Sequence, residues 1–196
     1  MKSKDFNEIT VEVSGSLEDL QLILNKNGFK KIEEYDLKDV YMIDSKTDLK
    51  RLPKEILKDC LLIRSCLDDV KLLYKWKEYN DLGEITKQGK VSCKVETAEK
   101  AEHLLNMIGW VRLMEINDHI IIYANDITEL AVQLVNNHIY IEIEEYSRLH
   151  DKIYKNIDEI KKEFLKYNIP IKNNNYFVKK AEIELRELIE KGDNNE

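Results

Sequence analysis

The chain has 196 residues, 43% of them hydrophobic, with 38 acidic against 31 basic side chains and a formal charge of −7. That length suits one domain with a sizeable core. The acidic balance excludes a general nucleic-acid binder, which needs a basic footprint, and no apolar run approaches the roughly 20 residues of a membrane span. The opening MKSKDFNEIT lacks the apolar centre of a secretory signal. Cys60, Cys66 and Cys93 have no metal-ligand spacing and read as reduced thiols, as expected of a cytoplasmic protein; a Cys60–Cys66 disulfide is the alternative.

In chain order, Ile9–Ser14 alternates apolar and polar residues and predicts a half-buried strand. Ser16 is placed to cap a helix whose Leu17, Leu20 and Leu24 form a stripe and whose stop is Asn27-Gly28. Phe29–Ile43 predicts one or two extended pieces, and Asp48–Lys58 a short helix around Pro53. Three strands follow at Cys60–Cys66, Val70–Lys77 and Lys90–Val95. Thr97 caps a helix that runs through Ile108 to Gly109. Strands are then expected at Trp110–Ile116, His119–Ala124, Leu130–Val135 and His138–Glu145, with a tight turn at Asn136-Asn137. Leu149–Tyr167 and Tyr176–Glu190 read as helices. Runs of strands with a few covering helices predict an α+β fold, one domain over 1–190 and a disordered tail over 191–196.

Several strands pair an apolar face with a charged one. On an open sheet the charged face is solvent; on a closed sheet it can line a wet interior. The segments EEYDLKDVYMID, LLIR, LLYKWK, KVETAEKAEHLLNMIGW and ELAVQLVNNHIYIEIE, in this order, resemble the CYTH or triphosphate-tunnel family, which includes class IV adenylyl cyclases and triphosphatases.

The resemblance implies a closed antiparallel β-tunnel with covering helices. It implies a triphosphate-containing small molecule as partner, nucleotide or inorganic, with Mg²⁺ or Mn²⁺ as cofactor if any metal is held. On this reading Arg64, Lys75, Lys77, Lys94 and Arg112 bind phosphate, while Glu12, Glu142 and Glu144 hold the metal. Asp39 and Tyr41 match the family's aspartate-tyrosine strand, with packing as the alternative role. The family's opening E-x-E-x-K matches Thr10, Glu12 and Ser14, so it is incomplete. Ser92 and Lys94 stand where two further carboxylates are expected, Met114 replaces a basic residue, and Gln133 replaces an aspartate. Lys94 could then supply part of a metal's charge, or simply face solvent. Three activities follow as alternatives: metal-dependent triphosphate hydrolysis, adenylyl cyclase-like chemistry, or a noncatalytic sensor or interaction module. A monomer or a homodimer is expected. His103, His119, His138 and His150 share no metal spacing and read as surface or boundary residues, and Trp76 and Trp110 as packing.

Overall fold

The computed structural model describes residues 8–79, 85–147, 149–150 and 152–193, with the side chains of 77–79, 85–88 and 192–193 set aside. It is an α+β fold. Its strands are β1 (Glu8–Glu12), β2 (Lys30–Asp44), β3 (Leu61–Cys66), β4 (Asp69–Tyr79), β5 (Ile85–Lys94), β6 (Trp110–Ala124), β7 (Glu129–Val135) and β8 (His138–Glu144). They are hydrogen-bonded in the order β1-β8-β7-β6-β2-β3-β4-β5. The helices are α1 (Leu17–Lys26), α2 (Pro53–Ile56), α3 (Ala98–Met107), α4 (Ile157–Leu165) and α5 (Lys180–Asp193), with a 3-10 turn at Leu57–Asp59.

The chain divides into two compact units, one covering the described residues 37–117 and 179–193, the other 8–36 and 118–178. In the first, Asp39, Arg64, Lys71 and Lys94 stand directly opposite one another across β2, β3, β4 and β5. Directly opposed residues share a side of the sheet. The other side carries Val40, Met42 and Ile63, and α3 closes it with Ala101 and Leu105. Thr97 begins α3 by accepting the Lys100 N–H at 3.2 Å, and Gly109 ends it at φ +90°.

In the second unit, Ile9, Val11 and Val13 of the β1 segment join Ile121, Tyr123, Val132, Ile141 and Ile143 in a core, which α1 supplies with Leu20 and Leu24 and α4 with Ile160 and Phe164. α1 opens on a reciprocal capping box between Ser16 and Asp19. The outer edge of β1 is lined by the segment that follows α4. Ser14 donates to the Pro170 carbonyl at 2.9 Å, Lys172 to Glu12 at 2.8 Å, Thr10 to Tyr176 at 3.1 Å and Val178 to Thr10 at 2.9 Å.

Residues 30–44 form one strand, the first of the two alternatives, and the last helix starts at Lys180 rather than Tyr176. Other expectations change: residues 110–124 form a single strand, because Asn117-Asp118 continues it instead of turning. The helix expected over 149–167 begins only after Asn156, whose extended backbone and side-chain bond to the Glu159 N–H make it the cap. Before it, Glu129 accepts from Ser147 Oγ (2.9 Å) and the Leu149 N–H (3.0 Å), which satisfies this stretch without helical turns. Of the expected tail, 191–193 belong to α5 and 194–196 lie outside the described residues.

Candidate functional site

The charged side of the first unit's strands is solvated at β5, where Lys90, Ser92 and Lys94 are exposed, but not across β2–β4. Tyr41, Leu62 and Leu73, directly opposed on that side, are buried, and so is Asp39. Arg64, Lys75 and Lys94 share this side: Arg64 opposes Lys71, Lys71 opposes Lys94, and Lys75 opposes Lys90. Lys77 opposes Gln88 in β5, and its side chain lies outside the described residues. Arg64 grips Asp39 with two parallel bonds, Nε to Oδ1 at 2.7 Å and Nη2 to Oδ2 at 2.6 Å. Such a fork fixes the guanidinium plane. Lys94 is 74% exposed and lies 3.2 Å from Asp69 Oδ1. Lys71 and Lys94 together hold the Asp69 carboxyl below its ordinary range.

Arg112 goes elsewhere. Its Nε and Nη2 fork onto Glu102 of α3 at 2.9 and 2.6 Å, and Nη1 reaches Glu115 at 3.0 Å. It therefore lies on the side that α3 covers, away from Arg64. The resemblance places Arg112 with the phosphate-binding residues; alternation along a strand gives relative facing but not which face a helix will take.

In the second unit the polar side of β1 and β8 is built by register. Glu8 opposes Glu144, Thr10 opposes Glu142, and Glu12 opposes Tyr140. Thr10, Glu12, Tyr140 and the neighbouring Gln133 are buried, while Glu8 and Glu142 are half-buried and Glu144 is exposed at the end of the strand. One carboxylate oxygen each from Glu8, Glu142 and Glu144 lie within 4.8 Å of one another. Gln133 Nε2 is 3.3 Å from Glu142 Oε2. Glu8, not Glu12, is the β1 member of this group. The apolar pattern starts the strand at Ile9, yet Glu8-x-Thr10-x-Glu12 continues one alternating face, and this is the signal in the sequence.

Glu12 instead accepts from His138 Nδ1 at 2.7 Å and Lys172 Nζ at 2.6 Å. Burial raises its carboxyl, and these two partners more than offset that, leaving it below its ordinary value.

The Glu8–Glu142–Glu144 donors are all carboxylate oxygens, which suits a hard cation of the Mg²⁺ type. Bonds of about 2.1 Å put ligand oxygens up to roughly 4.2 Å apart around such an ion, so small side-chain rotations would close the group on it. The residues present fit a divalent metal.

No protein-family profile matches the chain, and no curated protein matches it in sequence. Solved structures do match it in shape. The PH1819 protein of Pyrococcus horikoshii is 15% identical, with a TM-score of 0.63 over 92% of this chain and 99% of that one. HpAC1 of Hippeastrum, named for adenylyl cyclase and described as having a dominant triphosphatase activity, is 14% identical, with a TM-score of 0.61 over 94% and 96%. An adenylate cyclase-like protein of Vibrio parahaemolyticus is 8% identical, with a TM-score of 0.59 over 93% and 99%. At these identities the likeness concerns the fold: the chain has the fold of the CYTH, class IV adenylyl cyclase-like proteins.

Proposed function

We propose that the chain binds a triphosphate-containing small molecule, with its sheet closed into a tunnel. Glu8, Glu142 and Glu144 would hold Mg²⁺ or Mn²⁺, and the metal would neutralise phosphate charge. Arg64, Lys75, Lys77 and Lys94 would contribute cations for phosphate oxygens. Asp39 would position Arg64 rather than touch the ligand. The observation that carries the reading is the convergence of three carboxylates, half-buried Glu8 and Glu142 and exposed Glu144, whose oxygens lie within 4.8 Å of one another.

The test is calorimetry of tripolyphosphate binding with and without Mn²⁺. Affinity is expected to rise at least about tenfold with the metal, equivalent to ~1.4 kcal/mol, and Glu142→Ala is expected to remove that gain. Binding that ignores both the metal and the substitution would sink the proposal. Phosphate release in the same samples separates hydrolysis from binding alone. A noncatalytic role is favoured by Ser92 and Lys94 at positions where the resemblance expects carboxylates; it calls for metal-dependent binding with no release.

A further inference from the structure

His138 and Lys172 converge on a single oxygen. His138 Nδ1 and Lys172 Nζ lie 2.7 and 2.6 Å from Glu12 Oε1, from residues 126 and 160 positions away in sequence. Each donor is fixed independently. His138 is held by the β8 ladder, opposite Val135, and its ring stacks on Tyr140 with centroids 5.8 Å apart. Lys172 is anchored by its own backbone N–H, which donates to the Glu12 carbonyl at 2.8 Å. The Glu12 and His138 side chains are nearly enclosed, at 12% and 16% exposure, whereas that of Lys172 is 46% exposed and so reachable from solvent. Two nitrogen donors, separately positioned and aimed at one anionic oxygen, would serve a phosphate oxygen at the same distances as they serve a carboxylate.

We infer that His138 and Lys172 form an oxyanion-binding pair, that the chain's own Glu12 carboxylate occupies it, and that a phosphate group competes with Glu12 for it. Glu12 thereby sets the affinity of the pair, acting as a built-in competitor rather than as a ligand to metal. The inference stands apart from the metal reading, because its binding event needs no cation besides the two side chains.

The experiment is titration with inorganic phosphate in the presence of a chelator, read by calorimetry and by the ring ¹⁵N shifts of His138. Glu12→Gln keeps the shape of the side chain and removes its charge. It is expected to bind phosphate at least about tenfold more tightly than the wild type, a change of ~1.4 kcal/mol. Adding Lys172→Met is expected to abolish that gain. A folded Glu12→Gln chain that binds no more tightly overturns the inference and leaves Glu12 as a structural ion-pair residue. A gain that survives Lys172→Met overturns it as well. Should Glu12→Gln fail to fold, the wild type decides: a saturable His138 shift that Lys172→Met removes supports the pair, and no shift overturns it. Because metal is chelated throughout, failure here is distinct from failure of Mn²⁺ to act at Glu142.

Discussion

Glu163 of α4 is buried and accepts three bonds: from Tyr167 Oη at 2.7 Å, Lys152 Nζ at 3.1 Å and Lys166 Nζ at 3.0 Å. Burial alone would raise its carboxyl; the three donors outweigh burial and hold it below its ordinary value. A carboxyl depressed in the folded state adds stability that is fully present above the unfolded glutamate value, about 4.3. That contribution is lost as the pH falls through the lower, folded value. Denaturation measured between neutral pH and pH 3 is therefore expected to show stability declining on the acid side. Glu163→Gln is expected to cost roughly 1–3 kcal/mol at pH 7, since it leaves charged donors poorly matched, and to flatten that part of the acid decline. An acid limb as steep in the variant as in the wild type would assign the decline to other carboxyls. At this scale the sequence was least informative. His138 reads as a surface or boundary residue, and nothing in the sequence singles out Lys172, because their partner Glu12 is remote in the chain. No spacing rule connects such positions; only the β1–β8 register and the backbone bond at Lys172 do.

The β4–β5 hairpin shows what an element demands of one residue. Gly89 lies opposite Trp76. A Cβ at Gly89 would come within 2.6–2.8 Å of the Trp76 indole, inside any real contact distance. The glycine is thus kept for the close approach of the ring, as in other strand glycines covered by a cross-strand aromatic. Gly89→Ala is expected to destabilise the chain by roughly 1–3 kcal/mol through overpacking. Trp76→Leu in the same chain should return part of that loss, giving a measurable coupling in a double-mutant cycle. Additive losses would mean that the ring moves aside at no cost. Element existence was largely legible. Extended segments were expected at the place of every strand, by alternation at β1, β4 and β5, the Ser16 and Thr97 caps marked two helix starts, and Gly28 and Gly109 marked their ends, both with positive φ. Boundaries failed where a polar pair resembled a turn, as at Asn117-Asp118, and where a helix-like composition was satisfied by other bonds, as before Asn156. Glu8 was missed for the same kind of reason: a strand read from its first apolar residue loses the polar residue that precedes it.

For the whole chain, the pattern of pairing has a kinetic consequence. β1 pairs with β8 along one edge, Glu8 opposite Glu144 through Glu12 opposite Tyr140, and with residues 170–178 along the other. Both partners come from far along the sequence, so every bond β1 makes closes a long loop. Pulse-labelling hydrogen exchange during refolding is expected to show the Thr10 and Val13 amides, bonded to Tyr176 and Ile139, protected later than the amides of the β3–β4 hairpin. Protection of both sets in one phase would contradict this order. The same arrangement matters during synthesis. Ile9, Val11 and Val13 are synthesised well before their strand partners Ile143, Ile141 and Ile139, so this apolar stripe awaits those partners while the intervening chain is made. Glu8 and Glu12 flank and interrupt that stripe with charge. In the nascent chain they act as gatekeepers against self-association, a duty separate from anything they bind once the chain has folded.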